Sequence, residues 1–227
     1  MILLDTEFGK RLLKEETSLL YENQFYLQNS SALVIGDSRY LECLQVAGGI
    51  NVCEVAGNVT TEKSIVSRFD KLAVDQESKQ IVYLPHVLED HVNPHEILRE
   101  TYRILEPEGI ALITTLNPVG MLSLPRLTNK IFKSGYKTYN MFSALKLKDW
   151  LRVLGFEVFS FQPYYYALPL TYNIVFMYPG RKLFKNELKV PFSHLAYLMI
   201  VSKRNSTMTP IKITAQEREL AGAVLET

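Results

Sequence analysis

Apolar and polar positions alternate most clearly over residues 80–118, where the pattern predicts a strand, a helix and a second strand. An apolar run at residues 81–84 ends at Pro85, as is typical of a strand buried in a parallel sheet. A helix is predicted after Asn93, because Pro94 fits the first turn, where its missing N–H group costs nothing. The next apolar residues recur at three- and four-residue steps, on one helical face: Ile97, Leu98, Tyr102 and Leu105.

Pro107 and Gly109 are predicted to end this helix, before a second buried strand at residues 110–116. The whole segment is therefore predicted to be a βαβ crossover. Similar patterns predict further strands at residues 32–35, 50–55, 64–69, 157–161 and 195–202. Helical spacing also predicts a helix through Leu41, Leu44 and Val46, and an N-terminal helix that packs through Leu12, Leu13, Leu19, Leu20 and Phe25.

Composition narrows the class of protein. With 227 residues and 47% hydrophobic content, the chain can bury the core of one α/β domain. A net charge of +1 gives no support for nucleic acid as a partner. Cys43 and Cys53 are too few for a disulfide framework, so reduced thiols and a cytoplasmic location are expected. No run of apolar residues is long enough to predict a membrane span or a secretion signal.

The motifs of residues 80–118 carry a resemblance to a known family. Their order, LPHVLED, then NPHEILRETYRILEPEG, then ALITTLNP, resembles the fourth and fifth strand region of class I S-adenosylmethionine-dependent methyltransferases. Within that class it is similar to the methyltransferase type 11 group. In that group the fourth strand ends in a His-x-Leu-Glu segment, and the fifth strand leads into Asn-Pro. The resemblance continues more loosely from Ala32 to Ser202.

The resemblance implies a Rossmann-like class I methyltransferase fold. This fold is an α/β structure with a mostly parallel seven-stranded sheet, an antiparallel last strand and helices on both faces. Residues 1–227 are expected to form one domain. Residues 1–30 are expected to be a helical cap, residues 119–140 and 163–193 to be insertions on the substrate side, and residues 214–227 to be a tail.

The resemblance also implies S-adenosylmethionine as the cofactor, bound beyond the carboxyl ends of the strands. The family's turn after the first strand carries an acidic residue and a Gly-x-Gly, of which this chain keeps one glycine in Gly36, Asp37 and Ser38. Gly36 is expected to let the backbone approach the cofactor, Asp37 to meet its ammonium group and Ser38 its carboxylate. The alternative is an ordinary turn with Ser38 as the N-cap of a helix.

Two further acids are expected to hold the cofactor. Glu54, at the end of the second strand, is expected to accept hydrogen bonds from the ribose hydroxyls, and Asp70 to contact the adenine amino group. The alternatives are a solvated glutamate at a strand end and a shifted alignment that places Arg68 in the position of Asp70.

The loop after the fourth strand matches the segment that borders the methionine part of the cofactor and the acceptor. Pro85, His86 and Leu88 are therefore predicted cofactor contacts, and His86 is the predicted general base, since imidazole can take a proton near neutral pH. The alternative is a histidine that only supports the loop by hydrogen bonds. No metal site is predicted, because His91 and His95 do not lie one turn apart on a single helix face.

Asn117 is predicted to lie in a turn at the mouth of the pocket. The sequence Asn-Pro followed by an aromatic residue marks amino-group methyltransferases, but Val119 follows Pro118 here, so that chemistry is not supported.

The acceptor is expected to meet the aromatic insertion at residues 163–193. Its aromatic and basic residues are Tyr164, Tyr165, Tyr166, Tyr172, Phe176, Tyr178, Phe184, Arg181, Lys182 and Lys185. They could line a pocket for an apolar or aromatic small molecule, or contact a membrane surface or a protein partner. The alternative is an aromatic core that covers the sheet edge.

The function that these observations favour is methyl transfer from S-adenosylmethionine to a small apolar or aromatic acceptor. The competing function is a catalytically inactive methyltransferase-like binding or interaction protein. It is motivated by the missing second glycine and by Gln80, where the family has an aspartate at the start of the fourth strand.

Overall fold

The computed structural model describes residues 4, 7–27, 30–46, 50–57, 64–118, 141–171, 174–178 and 194–204. The predicted insertion 119–140 and the predicted tail 214–227 lie outside the described residues, as do residues 179–193 of the second insertion.

Helices and strands alternate along most of the described chain. The helices are α1 (Glu7–Glu22), α2 (Arg39–Val46), α3 (Pro94–Ile104) and α4 (Ala144–Val153), with a 3₁₀ turn at Gln24–Leu27. The strands are β1 (Ser30–Ile35), β2 (Ile50–Gly57), β3 (Ser64–Val66), β4 (Lys79–Pro85), β5 (Leu105–Leu116), β6 (Phe156–Thr171), β7 (Ile174–Tyr178) and β8 (His194–Lys203).

The strands form one sheet in the spatial order β3-β2-β1-β4-β5-β8-β6-β7. Strands β1 to β5 pair in parallel, and β8 lies antiparallel between β5 and β6. The predicted α/β class, the mostly parallel sheet and the antiparallel last strand are thus confirmed. The chain order of the strands reverses between β1 and β4, which makes the crevice at their carboxyl ends the topological switch point of the sheet.

The predicted number of strands is wrong, because the sheet of the described residues has eight. The additional strand is β7, which lies within the predicted insertion 163–193. β6 continues to Thr171, well past the predicted end at residue 161, and β7 pairs with this extension in antiparallel register, for example Leu168 with Phe176. The first part of the insertion therefore widens the sheet.

Helices cover both faces of the sheet, as predicted. Residues 32–35 of β1 point alternately to opposite faces of the sheet and are all fully buried, which explains their uninterrupted apolar sequence. On one face, α1 and α2 pack on the sheet through a cluster that includes Leu12, Leu19, Leu20, Leu44, Val34 and Tyr83. On the other face, α3 and α4 pack through a cluster that includes Ile97, Leu98, Leu147, Leu151, Leu33 and Val82.

Two residues differ from what the sequence predicted for them. Leu105 is the first residue of β5 and pairs with Lys79, whereas the next register pair joins Ile81 to Ile110, so the chain bulges between them. Leu105 is fully buried, as its spacing predicted, but it lies in β5, because α3 ends at Ile104. Phe25 was predicted to pack, but its side chain is 80% exposed in the 3₁₀ turn.

Within the described residues, none of the helices combines the length and the apolar character that a membrane crossing requires.

A buried lysine, Lys203, links the end of β8 to the start of β5. The ammonium group of Lys203 donates to the carbonyl oxygen of Leu105 at 2.8 Å and to Oε1 of Glu77 at 2.8 Å. It also lies 4.8 Å from the ring centroid of Tyr102. This side chain therefore joins the end of β8 to the bulged start of β5.

Lys203→Met should lower the free energy of unfolding by about 2 to 4 kcal/mol, because it leaves a buried carbonyl oxygen without its charged donor. Urea denaturation followed by circular dichroism measures the change. Lys71→Met, at an exposed lysine, is the matched control and should change stability by less than about 0.5 kcal/mol. Equal stability of the two variants would contradict the role assigned to Lys203.

Candidate functional site

The loops that follow β1 and β4 touch at the switch point. Gly36 has a φ of 134°, a conformation that residues with a side chain rarely adopt. A Cβ atom at Gly36 would also lie 2.9 Å from Cγ2 of Val87, in the loop after β4. Glycine is therefore required both by the backbone and by the neighbouring loop, at the edge of the sheet where such folds bind ligands.

Asp37 is bound by a neighbouring arginine. Oδ1 of Asp37 accepts from Nε of Arg39 at 2.9 Å and from its backbone N–H at 3.0 Å, and Oδ2 accepts from Nη2 at 2.7 Å. Burial acts to raise the pKa of Asp37, but the hydrogen bonds and charge of Arg39 outweigh it and lower this pKa. The carbonyl oxygen of Ser38 accepts from the N–H of Leu41, in the first turn of α2.

Asp70 has a similar arrangement in the turn after β3. Nε and Nη2 of Arg68 donate to its two carboxylate oxygens at 2.9 and 2.6 Å, and this side-chain hydrogen bonding lowers the pKa of Asp70. The side chain of Glu54 lies outside the described residues, although its backbone pairs with Leu33. A carboxylate has about four lone-pair directions, so Asp70 keeps capacity for a ligand donor beside Arg68.

His86 is the fully buried residue that follows β4. Its φ of 52° lies in the left-handed region, where histidine is one of the better tolerated side chains. Its backbone N–H donates to the carbonyl oxygen of Thr114 at 3.0 Å. Leu88 is also fully buried and packs in the cluster under α3, while Pro85 is the last residue of β4.

Both ring nitrogens of His86 contact buried carboxylates. Nε2 lies 2.8 Å from Oε1 of Glu16 in α1, and Nδ1 is hydrogen-bonded to Oε1 of Glu89. The second oxygen of Glu89 accepts from the backbone N–H of Leu116 at 3.1 Å, and Oε1 of Glu16 accepts from the hydroxyl of Tyr164. We call Glu16, His86, Glu89 and Tyr164 the buried charge cluster; it joins α1, the loop after β4, the end of β5, and β6.

The two carboxylates decide the protonation of His86. Burial acts to lower the pKa of its imidazole, but the charges and hydrogen bonds of Glu16 and Glu89 outweigh it and raise this pKa to about 10. His86 is therefore an imidazolium at neutral pH and donates from both nitrogens. A role as general base, as predicted from sequence, requires one of these two contacts to open.

Sequence reasoning missed Glu16, although a signal was present. Glu16 lies at helical spacing among Leu12, Leu19 and Leu20, so it is a charged residue on the apolar face of α1, and it is fully buried. Asn23 lies on the same side, about two turns later. Asn23 exchanges two side-chain hydrogen bonds with Gln162 of β6, at 3.0 and 2.8 Å.

A further polar group points toward Glu16 from α2. Burial, followed by the charge of Glu16, raises the pKa of Tyr40 well above its ordinary value. Within the described residues, however, neither the Tyr40 hydroxyl nor Oε2 of Glu16 has a partner in good hydrogen-bonding geometry. Glu16 therefore keeps spare accepting capacity beside the turn that follows β1.

The aromatic residues described in the second insertion are internal. Tyr164 and Tyr165 are 1% and 3% exposed and belong to the cluster between α1 and the sheet. These two residues agree with the alternative of an aromatic core. Tyr172 and Phe184, and the side chains of Tyr166, Phe176 and Tyr178, lie outside the described residues.

Asn117 joins the end of β5 to the start of β8 by hydrogen bonds. Its backbone N–H donates to the carbonyl oxygen of Leu195 at 2.8 Å. Its side-chain amide donates to the carbonyl oxygen of His194 at 3.1 Å and lies 2.9 Å from Nε2 of that residue. Burial lowers the pKa of His194, which leaves Nε2 free to accept this bond at neutral pH.

The buried charge cluster should make the protein less stable as pH rises. A histidine whose pKa is about 10 in the folded protein and about 6.5 in the unfolded chain contributes fully below pH 6.5, and the contribution is lost between these values. Between about pH 6.5 and 8.5, the free energy of unfolding should fall by up to about 1.4 kcal/mol per pH unit. Urea denaturation at several pH values measures this slope.

Glu16→Gln should flatten that slope, because it removes one of the two carboxylates that raise the pKa of His86. Glu22→Gln, at an exposed position of the same helix, is the control and should keep the wild-type slope. A wild-type stability that stays constant from pH 6.5 to 8.5 would show that His86 is not charged in the folded protein.

Comparison with known proteins identifies the family of this chain. Residues 19–160 match the family Methyltransf_23, described as a methyltransferase domain. The uncharacterized protein YafS of Escherichia coli (strain K12) is 27% identical over 150 residues, which cover 65% of this chain and 59% of YafS. The chain therefore matches less than two thirds of that relative's length.

Solved methyltransferases share the fold. A SAM-dependent methyltransferase from Archaeoglobus fulgidus is 15% identical, with a TM-score of 0.61 and coverage of 84% of this chain and 94% of that chain. One from Mesorhizobium loti is 12% identical, with a TM-score of 0.58 and coverage of 81% and 95%. The type 11 group stays a prediction, since the matched family is a different one. Because the family match spans more than half of the chain, this protein belongs to the methyltransferase domain family, with the class I fold.

Proposed function

We propose that this protein transfers the methyl group of S-adenosylmethionine to a small acceptor molecule. The observation that carries the proposal is the contact between the Gly36 turn and the loop after β4, at the switch point of a methyltransferase-family sheet. Ligands of open α/β sheets bind at this place, and Gly36 supplies a backbone without a side chain there.

The cofactor would supply a methyl group bound to a sulfonium. Gly36 would bring its backbone close to the methionine part, with Asp37 and Ser38 beside it, and Glu54 and Asp70 would receive the ribose and the adenine. On the other side of the crevice, Pro85 is the last residue of β4, and His86 and Leu88 lie in the loop after it. The Gly36 turn fits this ligand, since it has no room for a Cβ atom, and Asp70 keeps accepting capacity beside Arg68.

Rate enhancement would come mainly from holding the acceptor in line with the methyl group, because this displacement needs little acid–base chemistry. The buried charge cluster supports such positioning, since it fixes α1 against the ends of β4 and β5. The apolar or aromatic character of the acceptor stays a prediction from the sequence, because Tyr40 and Tyr83, whose rings meet edge to face at 5.8 Å, are fully buried in the core. If the acceptor released a proton, a base other than His86 would be needed, because both ring nitrogens of His86 are hydrogen-bonded to carboxylates.

The direct test is a calorimetric titration with S-adenosylmethionine and S-adenosylhomocysteine. Gly36→Ala should weaken binding of both by at least roughly tenfold, because the new Cβ atom forces the turn and Val87 apart. Gly155→Ala is the matched control: Gly155 also has a positive φ, of 94°, but it precedes β6 at the opposite edge. This variant should lose stability and keep wild-type affinity. Absence of binding by the wild-type protein would refute the proposed cofactor.

Glu54→Ala should weaken S-adenosylmethionine binding by about 1.5 to 3 kcal/mol, the usual value of hydrogen bonds to a charged group. The same titration measures it, with Glu22→Ala as a control at an exposed acid of α1. Unchanged affinity in Glu54→Ala would remove Glu54 from the proposed site.

A further inference from the structure

A second pocket lies at the opposite edge of the sheet from the proposed cofactor site. Its volume is ≈ 400 Å³, within the usual range for small-molecule sites. Its lining includes Lys148 and Arg152 of α4, Arg204 after β8, and Gly155, Glu157 and Val158 around the start of β6.

The sheet topology separates this pocket from the switch point. β8 runs antiparallel to both β5 and β6, so β6 runs in the same direction as the parallel strands. The first residue of β6, Phe156, pairs with Lys203 at the end of β8. The pocket therefore lies at the amino-terminal edge of the parallel strands, whereas Gly36 and His86 lie at the carboxyl-terminal edge.

The basic side chains of this pocket lack the partners that other arginines have. Arg39, Arg68 and Arg103 each bind a carboxylate at 2.6 to 2.7 Å. By contrast, the side chains of Lys148, Arg152 and Arg204 make no hydrogen bond or ion pair with any part of the chain that the structure describes.

The charges around the pocket are predominantly positive. Lys148 and Arg152 are one turn apart on the helix, and like charges at this spacing destabilise a helix. The single acid of the lining is Glu157, whose side chain is exposed, so three cationic groups face one carboxylate.

The floor of the pocket is held by packing. Gly155 has a φ of 94°, and a Cβ atom there would lie 3.2 Å from the hydroxyl oxygen of Tyr102. The ring of Tyr102 meets that of the buried Phe156 edge to face at 5.2 Å. The backbone N–H of Arg204 donates to the carbonyl oxygen of Gly155 at 3.4 Å, which places the end of β8 beside the turn.

We propose that this pocket binds a multiply charged small anion of the phosphate class. Two guanidinium groups and one ammonium group suit phosphate oxygens, because guanidinium donates two parallel hydrogen bonds and ammonium adds a point charge. The site is independent of the proposed methyl transfer, since the two lie at opposite edges of the sheet.

The test is a calorimetric titration of the full chain with pyrophosphate at low ionic strength, where charge interactions are least screened. The wild-type protein should bind pyrophosphate, and Arg152→Gln combined with Arg204→Gln should weaken binding by roughly tenfold or more. Lys71→Gln combined with Arg99→Gln removes the same charge at exposed sites outside the pocket and should change affinity by less than about twofold. Urea denaturation would check that both double variants remain folded.

Three outcomes would overturn the proposal. The wild-type protein could fail to bind pyrophosphate, the control pair could lose as much affinity as the pocket pair, or a single-stranded oligonucleotide could bind more tightly through the same residues. The last result would indicate a nucleic-acid surface. Binding of S-adenosylmethionine by the pocket variant, measured in parallel, should equal that of the wild type, so the two proposals can fail separately.

Discussion

The contact of one buried imidazolium with two buried carboxylates organises the carboxyl-terminal edge of this protein. Each charged group loses its hydration when it is buried. The loss is offset because His86 contacts Glu16 and Glu89 directly, and because Leu116 donates to Glu89 and Tyr164 to Oε1 of Glu16. Removal of His86 would leave two buried carboxylates without their counter-charge, and a buried charge left without its partner typically costs about 3 to 5 kcal/mol. The apolar faces of α1 and of the sheet bring these elements together, and the cluster fixes how they align.

Most of the fold could be predicted from the sequence because its signals are local. The crossover from β4 through α3 to β5 follows from helical spacing, Pro94 and two buried apolar runs, and the structure has all three elements. The eighth strand, β7, could not be predicted. It depends on pairing with an extension of β6, and its own sequence does not alternate between apolar and polar residues as a half-buried strand would. Phe25 shows the same limit, because helical spacing does not reveal where a helix ends.

The position of the glycine in the candidate site could be predicted from the sequence, but the ion pairs of its charged residues could not. Gly36 is required by its backbone angle and by Val87, and sequence reasoning placed it through the turn that follows β1. The partners of Asp37 and Asp70 are arginines two residues away in the chain, which a search for cofactor contacts does not consider. His86 was predicted to be the base because an imidazole usually titrates near neutral pH. Its carboxylate neighbours are Glu89 of the same loop and Glu16, 70 residues earlier in the chain, and together they keep the imidazole protonated.

The buried charge cluster crosses both boundaries of the segment that matches the family. The family match begins at residue 19 and ends at residue 160, whereas Glu16 lies just before it and Tyr164 just after it. His86, at the centre of the matched segment, thus depends on two residues that the family does not specify. A fragment trimmed to the matched residues would therefore lose Glu16, one of the two carboxylate partners of His86, and Tyr164, which donates to that carboxylate.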